Sequence, residues 1–137
     1  MAEAKLFHCS VVTPEKVVLE CQARFVALPA HDGEIGLLRN RAPIVCKLDI
    51  GQLRVETETG KEAFFIDGGF AEMADNSLTV LTEDARRVDE IDRTRAQELL
   101  EEARALAGGD PGAMREREKA IKRARTQLRL SAGSERT

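Results

Sequence analysis

Between Glu83 and Asp92 the hydrophobic period of the chain changes from two residues to about 3.6, and one layer of secondary structure cannot satisfy both. Upstream, Ser77-Leu78-Thr79-Val80-Leu81 alternates across a pleat. Downstream, Ala96, Leu99, Leu100, Ala103 and Leu106 recur on one face of a helix. The junction is charged and has little to bury, which predicts a surface hinge between a part that holds on and a part that moves. The fold class that follows is α+β. An antiparallel β-sandwich or flattened barrel is expected over residues 1–84, a hinge over 85–92 and an antiparallel two-helix hairpin over 93–137.

A chain of 137 residues supplies one compact domain with an appendage and excludes a large enzyme core. With no Trp and no Tyr, the sheet half must be packed mainly with Val, Leu, Ile, Ala and its five Phe. The net charge of −3 hides an asymmetry: residues 114–137 carry eight cations against three anions, on an otherwise acidic body. Such a tail suits an acidic protein partner, nucleic acid, a nucleotide phosphate or a solvated helix face. Three cysteines without a CxxC spacing, no signal peptide and no long apolar run predict a cytosolic protein with reduced thiols and no membrane insertion of its own.

The sheet half reads as a series of short strands. Lys5 to Val12 puts Phe7, Cys9 and Val11 on one face and turns at Thr13-Pro14-Glu15 into a second strand from Lys16 to Leu19. Arg24 to Leu28 is stopped by Pro29-Ala30-His31-Asp32-Gly33, and Glu34 to Leu38 leads out of that turn. Further strands are expected at Ile44 to Leu48, Leu53 to Thr57, Ala63 to Ile66, Phe70 to Met73 and Ser77 to Leu81. Asp67-Gly68-Gly69 interrupts the pattern and predicts a bulge or a close backbone approach; a phosphate loop is disfavoured because a strand, not a helix, follows.

In the second half Asp92 is an N-cap for a helix from Arg93 to about Ala107, Gly108-Gly109 ends it, and Asp110-Pro111 opens the next. Met114, Arg117, Ile121, Ala124 and Leu128 form the expected contact seam of that second helix. An Ala-rich seam buries little, so reversible docking of the hairpin is expected.

Catalytic chemistry finds no constellation. His8 and Cys9 are strand neighbours pointing to opposite faces, which disfavours a shared metal and a Cys-His nucleophile alike. Paired carboxylates such as Glu101-Glu102 are simply solubilising. No metal site, no catalytic residue and no enzyme activity of the chain alone are expected.

Leu28-Pro29-Ala30-His31-Asp32-Gly33-Glu34-Ile35-Gly36-Leu37-Leu38 with Ala42-Pro43, then Gly68-Gly69-Phe70-Ala71-Glu72, Asn76 to Leu81 and Ser10-Val11-Val12-Thr13-Pro14, resembles the epsilon subunit of F-type ATP synthase. The resemblance covers nearly the whole chain in order. It implies a non-catalytic central-stalk subunit that couples rotation to ATP synthesis, at the cytoplasmic face of the bacterial plasma membrane through its complex. By matching position, Ala30, His31, Asp32, Gly33 and Glu34 would meet the ring of c subunits, and the segment of Arg39 and Arg41 would meet the gamma subunit. The family usually carries Pro and His where this chain has those two arginines, so the chemistry of that contact differs.

The resemblance also implies that the hairpin regulates hydrolysis by extending toward an acidic segment of the beta subunit, with Arg115, Lys119, Lys122, Arg123, Arg125 and Arg129 as the basic face. Ile91-Asp92-Arg93-Thr94-Arg95-Ala96 matches the motif by which some members bind ATP, so Ile91, Asp92, Arg95, Ala96 and Arg123 are candidates for a weak ATP site. Gln127 stands where those ATP binders carry a further arginine, and a neutral amide loses the bidentate contact to phosphate. No other cofactor is implied. The alternative from another class is a stand-alone module whose basic helix docks on nucleic acid or anionic lipid. Nucleic acid is disfavoured by the lack of Tyr, Trp or Phe after residue 70.

Overall fold

The computed structural model describes residues 5–134, and of 132–134 the backbone only. The extreme ends of the expected sandwich and hairpin lie outside the described residues. Two compact units divide the chain, Met1–Arg86 and Arg87–Thr137.

The first unit contains β1 (Phe7–Val12), β2 (Val17–Ala23), β3 (Phe25–Ala30), β4 (Gly33–Leu37), β5 (Ile44–Glu56), β6 (Lys61–Ala74) and β7 (Ser77–Leu81), with β8 (Ala85–Arg87) following. Their order is β2-β1-β7-β6-β5-β3-β4, with β8 paired to β6. The ladders reported for β1 to β7 are antiparallel except that of β1 with β7, which is parallel and joins the first and last strands of the run. This departs from the purely antiparallel sandwich expected. Phe7, Cys9, Val11, Val26, Leu28, Leu37, Leu53, Val55, Phe64, Ile66, Met73, Leu78 and Val80 fill the core, each almost fully buried. Aliphatic side chains with Phe7 and Phe64 make up this core as expected, whereas Phe70 is on the surface.

Two pairs of expected short strands are single long ones. In β5 the buried positions are Leu48 on one side and Gly51, Leu53 and Val55 on the other, so the inward parity inverts near Asp49. In β6 it inverts between Ile66 and Ala71, at Gly68-Gly69. The two breaks face each other: Leu48 pairs with Gly69 and Ile50 with Asp67. Each strand therefore bends at the same place and presents opposite pleat faces to one core.

Gly68 and Gly69 have φ of +67° and +108°; the first is a left-handed value that Asn and Asp also adopt, the second one that favours glycine strongly. The chain after β7 closes over this bend. The Asp67 N–H donates to Thr82 Oγ1 at 3.2 Å and to the Asp84 carbonyl at 3.0 Å, and the Thr82 hydroxyl is itself buried. Asp75 and Asn76, both at positive φ, form the two-residue turn between β6 and β7.

The second unit holds a 3-10 turn at Val88–Glu90 and two helices, α1 (Arg93–Ala105) and α2 (Pro111–Ser134). The expected hinge of 85–92 thus contains the strand β8 and this turn, with Val88 buried. Asp92 caps α1 through Oδ1, which accepts from the Arg95 N–H at 3.2 Å. Asp110 caps α2 likewise, accepting from the Ala113 N–H at 2.8 Å. α1 buries Ala96, Leu100 and Ala103 and ends two residues before the expected stop. The seam of α2 is shifted from expectation: of its expected members Ala124 is buried, Arg117, Ile121 and Leu128 are half-buried and Met114 is about half exposed, while Thr126, Gln127, Leu130 and Ser131 are buried as well. Arg117 of the expected seam spans the hairpin, donating Nη2 to the Arg104 carbonyl at 3.1 Å.

Candidate functional site

Strand register assembles an apolar row on the outer face of the sandwich. Val17 pairs with Val12, Val12 with Leu81, Leu81 with Phe70 and Phe70 with Lys47, so one line of side chains crosses β2, β1, β7, β6 and β5. Directly paired residues share a face, and alternation with the buried Val11, Val80 and Ala71 turns Val12, Leu81 and Phe70 outward; Val17, in phase with the buried Leu19, meets Val12 only across a register shift between Val11 and Val12. Val17, Leu81 and Phe70 are 56%, 53% and 56% exposed, and Val45, two residues before Lys47 on the same face, is 68% exposed. Scattered surface apolars need no explanation, whereas a row of them across neighbouring strands is a feature that suits protein docking.

The row ends where the turn of Ala30, His31, Asp32, Gly33 and Glu34 begins: the His31 N–H donates to the Lys47 carbonyl at 2.9 Å. His31, Asp32, Gly33 and Glu34 are exposed, and the hairpin closes through pairing of Ala30 with Gly33. Glu34 pairs with Arg54 at 2.9 Å, both side chains about half in solvent. Such a pair contributes at most about 1 kcal/mol.

Arg39 and Arg41 lie at the other end of β4, five residues of extended chain away, and the structure separates them from the His31 turn. Their loop is fixed by side-chain work. Asn40, at φ +67°, donates its N–H to Asn76 Oδ1 at 2.6 Å; Asn76 Nδ2 donates to Asn40 Oδ1 at 3.2 Å; and Arg39 Nη1 donates to the Leu6 carbonyl at 3.3 Å. Arg41 is exposed, its N–H held by the Leu38 carbonyl at 3.3 Å.

In the second unit the basic residues sort by helical phase. At 100° per residue, Arg115, Lys119, Lys122, Arg125 and Arg129 fall within roughly a third of the circumference of α2. All five are exposed, with Glu118 on the same arc. Arg123 lies off it, half-buried and engaged with the protein.

A family profile, the beta-sandwich domain of the ATP synthase delta/epsilon chain, matches residues 6–88. The ATP synthase epsilon chain of Rhodopirellula baltica is 45% identical over 124 residues, covering 90% of this chain and 97% of that one. The chain belongs to the ATP synthase epsilon chain family. Another epsilon chain, from Carboxydothermus hydrogenoformans, is 47% identical over 94 residues, 69% of this chain and 70% of its own. Among solved structures, a chain of the Euglena gracilis mitochondrial ATP synthase assembly of OSCP, F1 and c-ring superposes with a TM-score of 0.78 at 27% identity, covering 92% of this chain and 81% of that one.

The residues expected from the sequence to form a weak ATP site have other partners or are buried. The Asp92 carboxylate caps its own helix, Ala96 is buried, and Ile91 is half-buried. Arg95 Nη1 contacts Glu98 at 3.2 Å and Glu102 at 3.5 Å, and the Glu98 hydrogen bond followed by the Glu102 charge raises its pKa. Gln127 is only 5% exposed, so an arginine there would have to break packing before it reached a phosphate. Among the described residues no His, Cys, Asp and Glu side chains gather as a metal cage, and no helix is long and apolar enough to cross a membrane.

The outer apolar row escaped sequence reasoning. Its signal was present in the outward positions of β1, β2, β6 and β7, where Val12, Val17, Phe70 and Leu81 occupy sites that polar residues usually fill.

Proposed function

We infer that this chain is the non-catalytic central-stalk subunit of an F-type ATP synthase, held to the rotor through its sandwich and regulating hydrolysis through α2. The observation that carries the reading is the exposed row Val17–Val12–Leu81–Phe70 on a sheet braced by its own core. Torque passes through broad packing rather than single bonds, and a rigid apolar face provides it.

In this reading the row and the Arg39–Arg41 loop grip the gamma subunit. The adjoining turn Ala30 to Glu34 rests on the c-ring, where exposed Asp32 and His31 offer polar contacts. The exposed arc of α2 meets an acidic segment of the beta subunit when the helices extend. The chain reaches the membrane surface, the cytoplasmic face of a bacterial plasma membrane, only through these partners.

Phe70→Glu tests it, because a carboxylate placed in a desolvated contact is costly whereas the same change at a half-exposed position leaves the fold intact. Binding to gamma should weaken by about 2 kcal/mol or more, roughly thirtyfold. The circular dichroism melt should move little. Unchanged gamma affinity would remove the row from the interface.

ATP is a weak ligand of the hairpin in this chain, since Asp92 and Arg95 already have intramolecular partners. Calorimetric titration of ATP into the full chain should give weak or no heat, and Gln127→Arg should lower thermal stability without creating tight binding. Tight binding by the unaltered chain would contradict the assignment of those partners.

A further inference from the structure

Two thiols that the rotor function does not use face each other inside the sandwich. Cys9 of β1 and Cys21 of β2 are direct partners in the antiparallel ladder. Directly opposed residues have Cα atoms about 4.5–5.5 Å apart, inside the ~4.4–6.8 Å that a disulfide spans, and their Cβ atoms leave the sheet on the same side. Both are free thiols: Cys9 is fully buried, while Cys21, on edge strand β2, is half-exposed.

Cys21 also lines an open pocket of about 430 Å³ at the edge of the sandwich, shared with Gln22, Thr57, Lys61 and Glu62. Polar residues surround Cys21 in this pocket, which is large enough for a short thiol peptide and gives a reagent access to one thiol of the pair only.

We propose that Cys9 and Cys21 form a dithiol site at which a low-molecular-weight disulfide of the glutathione type enters by way of the Cys21 pocket and is exchanged for a reversible cross-strand disulfide stapling edge strand β2 to β1. In the first step the Cys21 thiolate attacks one sulfur of the oxidised reagent, forming the mixed disulfide and expelling one glutathione thiolate. In the second, the Cys9 thiolate attacks the Cys21 sulfur and expels the other. Two protein thiols are oxidised, two glutathione thiols are produced, and the two protein protons end on them.

The division of labour follows from the environment. Burial, with the neighbouring Cys21 adding to it, pushes the Cys9 thiol up to about 12. Burial and then the Glu62 charge also raise Cys21, but the hydrogen bond with Cys9 works the other way and favours its thiolate. Exchange is therefore slow at neutral pH and accelerates as pH rises and the thiolate fraction grows. Cys46 serves as an internal control, because the residue opposite it on β6 is Ala71.

The test is exposure of the reduced full chain to oxidised glutathione under native conditions, followed by peptide mapping of the quenched protein. The expected result is a Cys9–Cys21 link within one chain, formed equally in Cys46→Ser, faster at alkaline pH and reversed by dithiothreitol. In Cys9→Ser the glutathione should stay on Cys21, since the resolving thiol is gone. Thiols left intact in the folded chain, links through Cys46 or between chains, or glutathione persisting on Cys21 of the unaltered protein would each overturn the proposal.

Discussion

Replacing Gly69 with alanine should remove most of the stability of the sandwich, while the same change at Gly68 should cost only about 1 kcal/mol. Both residues sit in the bend of β6 at positive φ, so composition alone does not distinguish them. Surroundings do. A Cβ on Gly69 would overlap the Leu81 carbonyl oxygen and come within 2.9 Å of the Leu81 carbonyl carbon and Thr82 Cα, all backbone that has no rotamer to yield. A Cβ on Gly68 would meet only the Leu48 carbonyl oxygen, at an ordinary 3.7 Å.

The φ of +108° at Gly69 adds a conformational cost of about 1–3 kcal/mol for any side chain. With the overlap, the total reaches about 4–5 kcal/mol or more, which is most of what a small domain has to lose. Denaturant unfolding of the two variants, followed by circular dichroism, checks this. A Gly69→Ala melt indistinguishable from that of Gly68→Ala would show that β7 does not press on the bend.

The same bend explains where sequence periodicity stopped being informative. Alternation located the core residues of each half of β5 and β6, but near Asp49 and at Gly68-Gly69 the inward parity inverts. A pattern reader sees two strands where the backbone makes one. The glycine pair announced a bulge or a close backbone approach, and the close approach is what occurs: Gly69 lies against the Leu81 backbone, while the β5–β6 register runs through unshifted. Its consequence, a strand serving both layers of one core, is a tertiary fact. Likewise Ala85-Arg86-Arg87 carries no alternation, and it pairs with β6 because the Asp67, Thr82 and Asp84 contacts deliver it there.

Helix ends were the most legible features. Asp92 and Asp110 each cap through a side-chain oxygen placed by sequence alone, since the cap needs only the residue and its next three. The buried arc of α2 was less so. Small and polar residues, Ala124, Thr126, Gln127 and Ser131, form much of it, and hydrophobicity does not mark them. Among the candidate contact residues, exposure of the His31 turn followed from its turn chemistry. The cross-strand assembly of Val17, Leu81, Phe70 and Val45 required the register, which no local pattern encodes.

Charge reversal at Arg125 and Arg129 should raise ATP hydrolysis by the assembled complex. Both side chains are exposed on the basic arc of α2, so exchanging them for glutamate leaves the helix packing of Ala124, Gln127 and Leu130 untouched. Arg123 is unsuitable for the same purpose, being half-buried and engaged within the protein. Close charge pairs across an interface are worth ~1.5 to 7 kcal/mol in coupling, and reversal replaces attraction with repulsion. Losing even about 1.4 kcal/mol of docking shifts the balance between restrained and active complexes tenfold. Because the arc is solvent-exposed, raising ionic strength should reproduce part of the effect in the unaltered complex and little of it in the reversed one. Steady-state hydrolysis at two salt concentrations measures both. If reversal leaves the rate unchanged at either salt, while ending the chain after Ala113 raises it, then α2 restrains the catalytic head by occupying space, and its charge serves solubility alone.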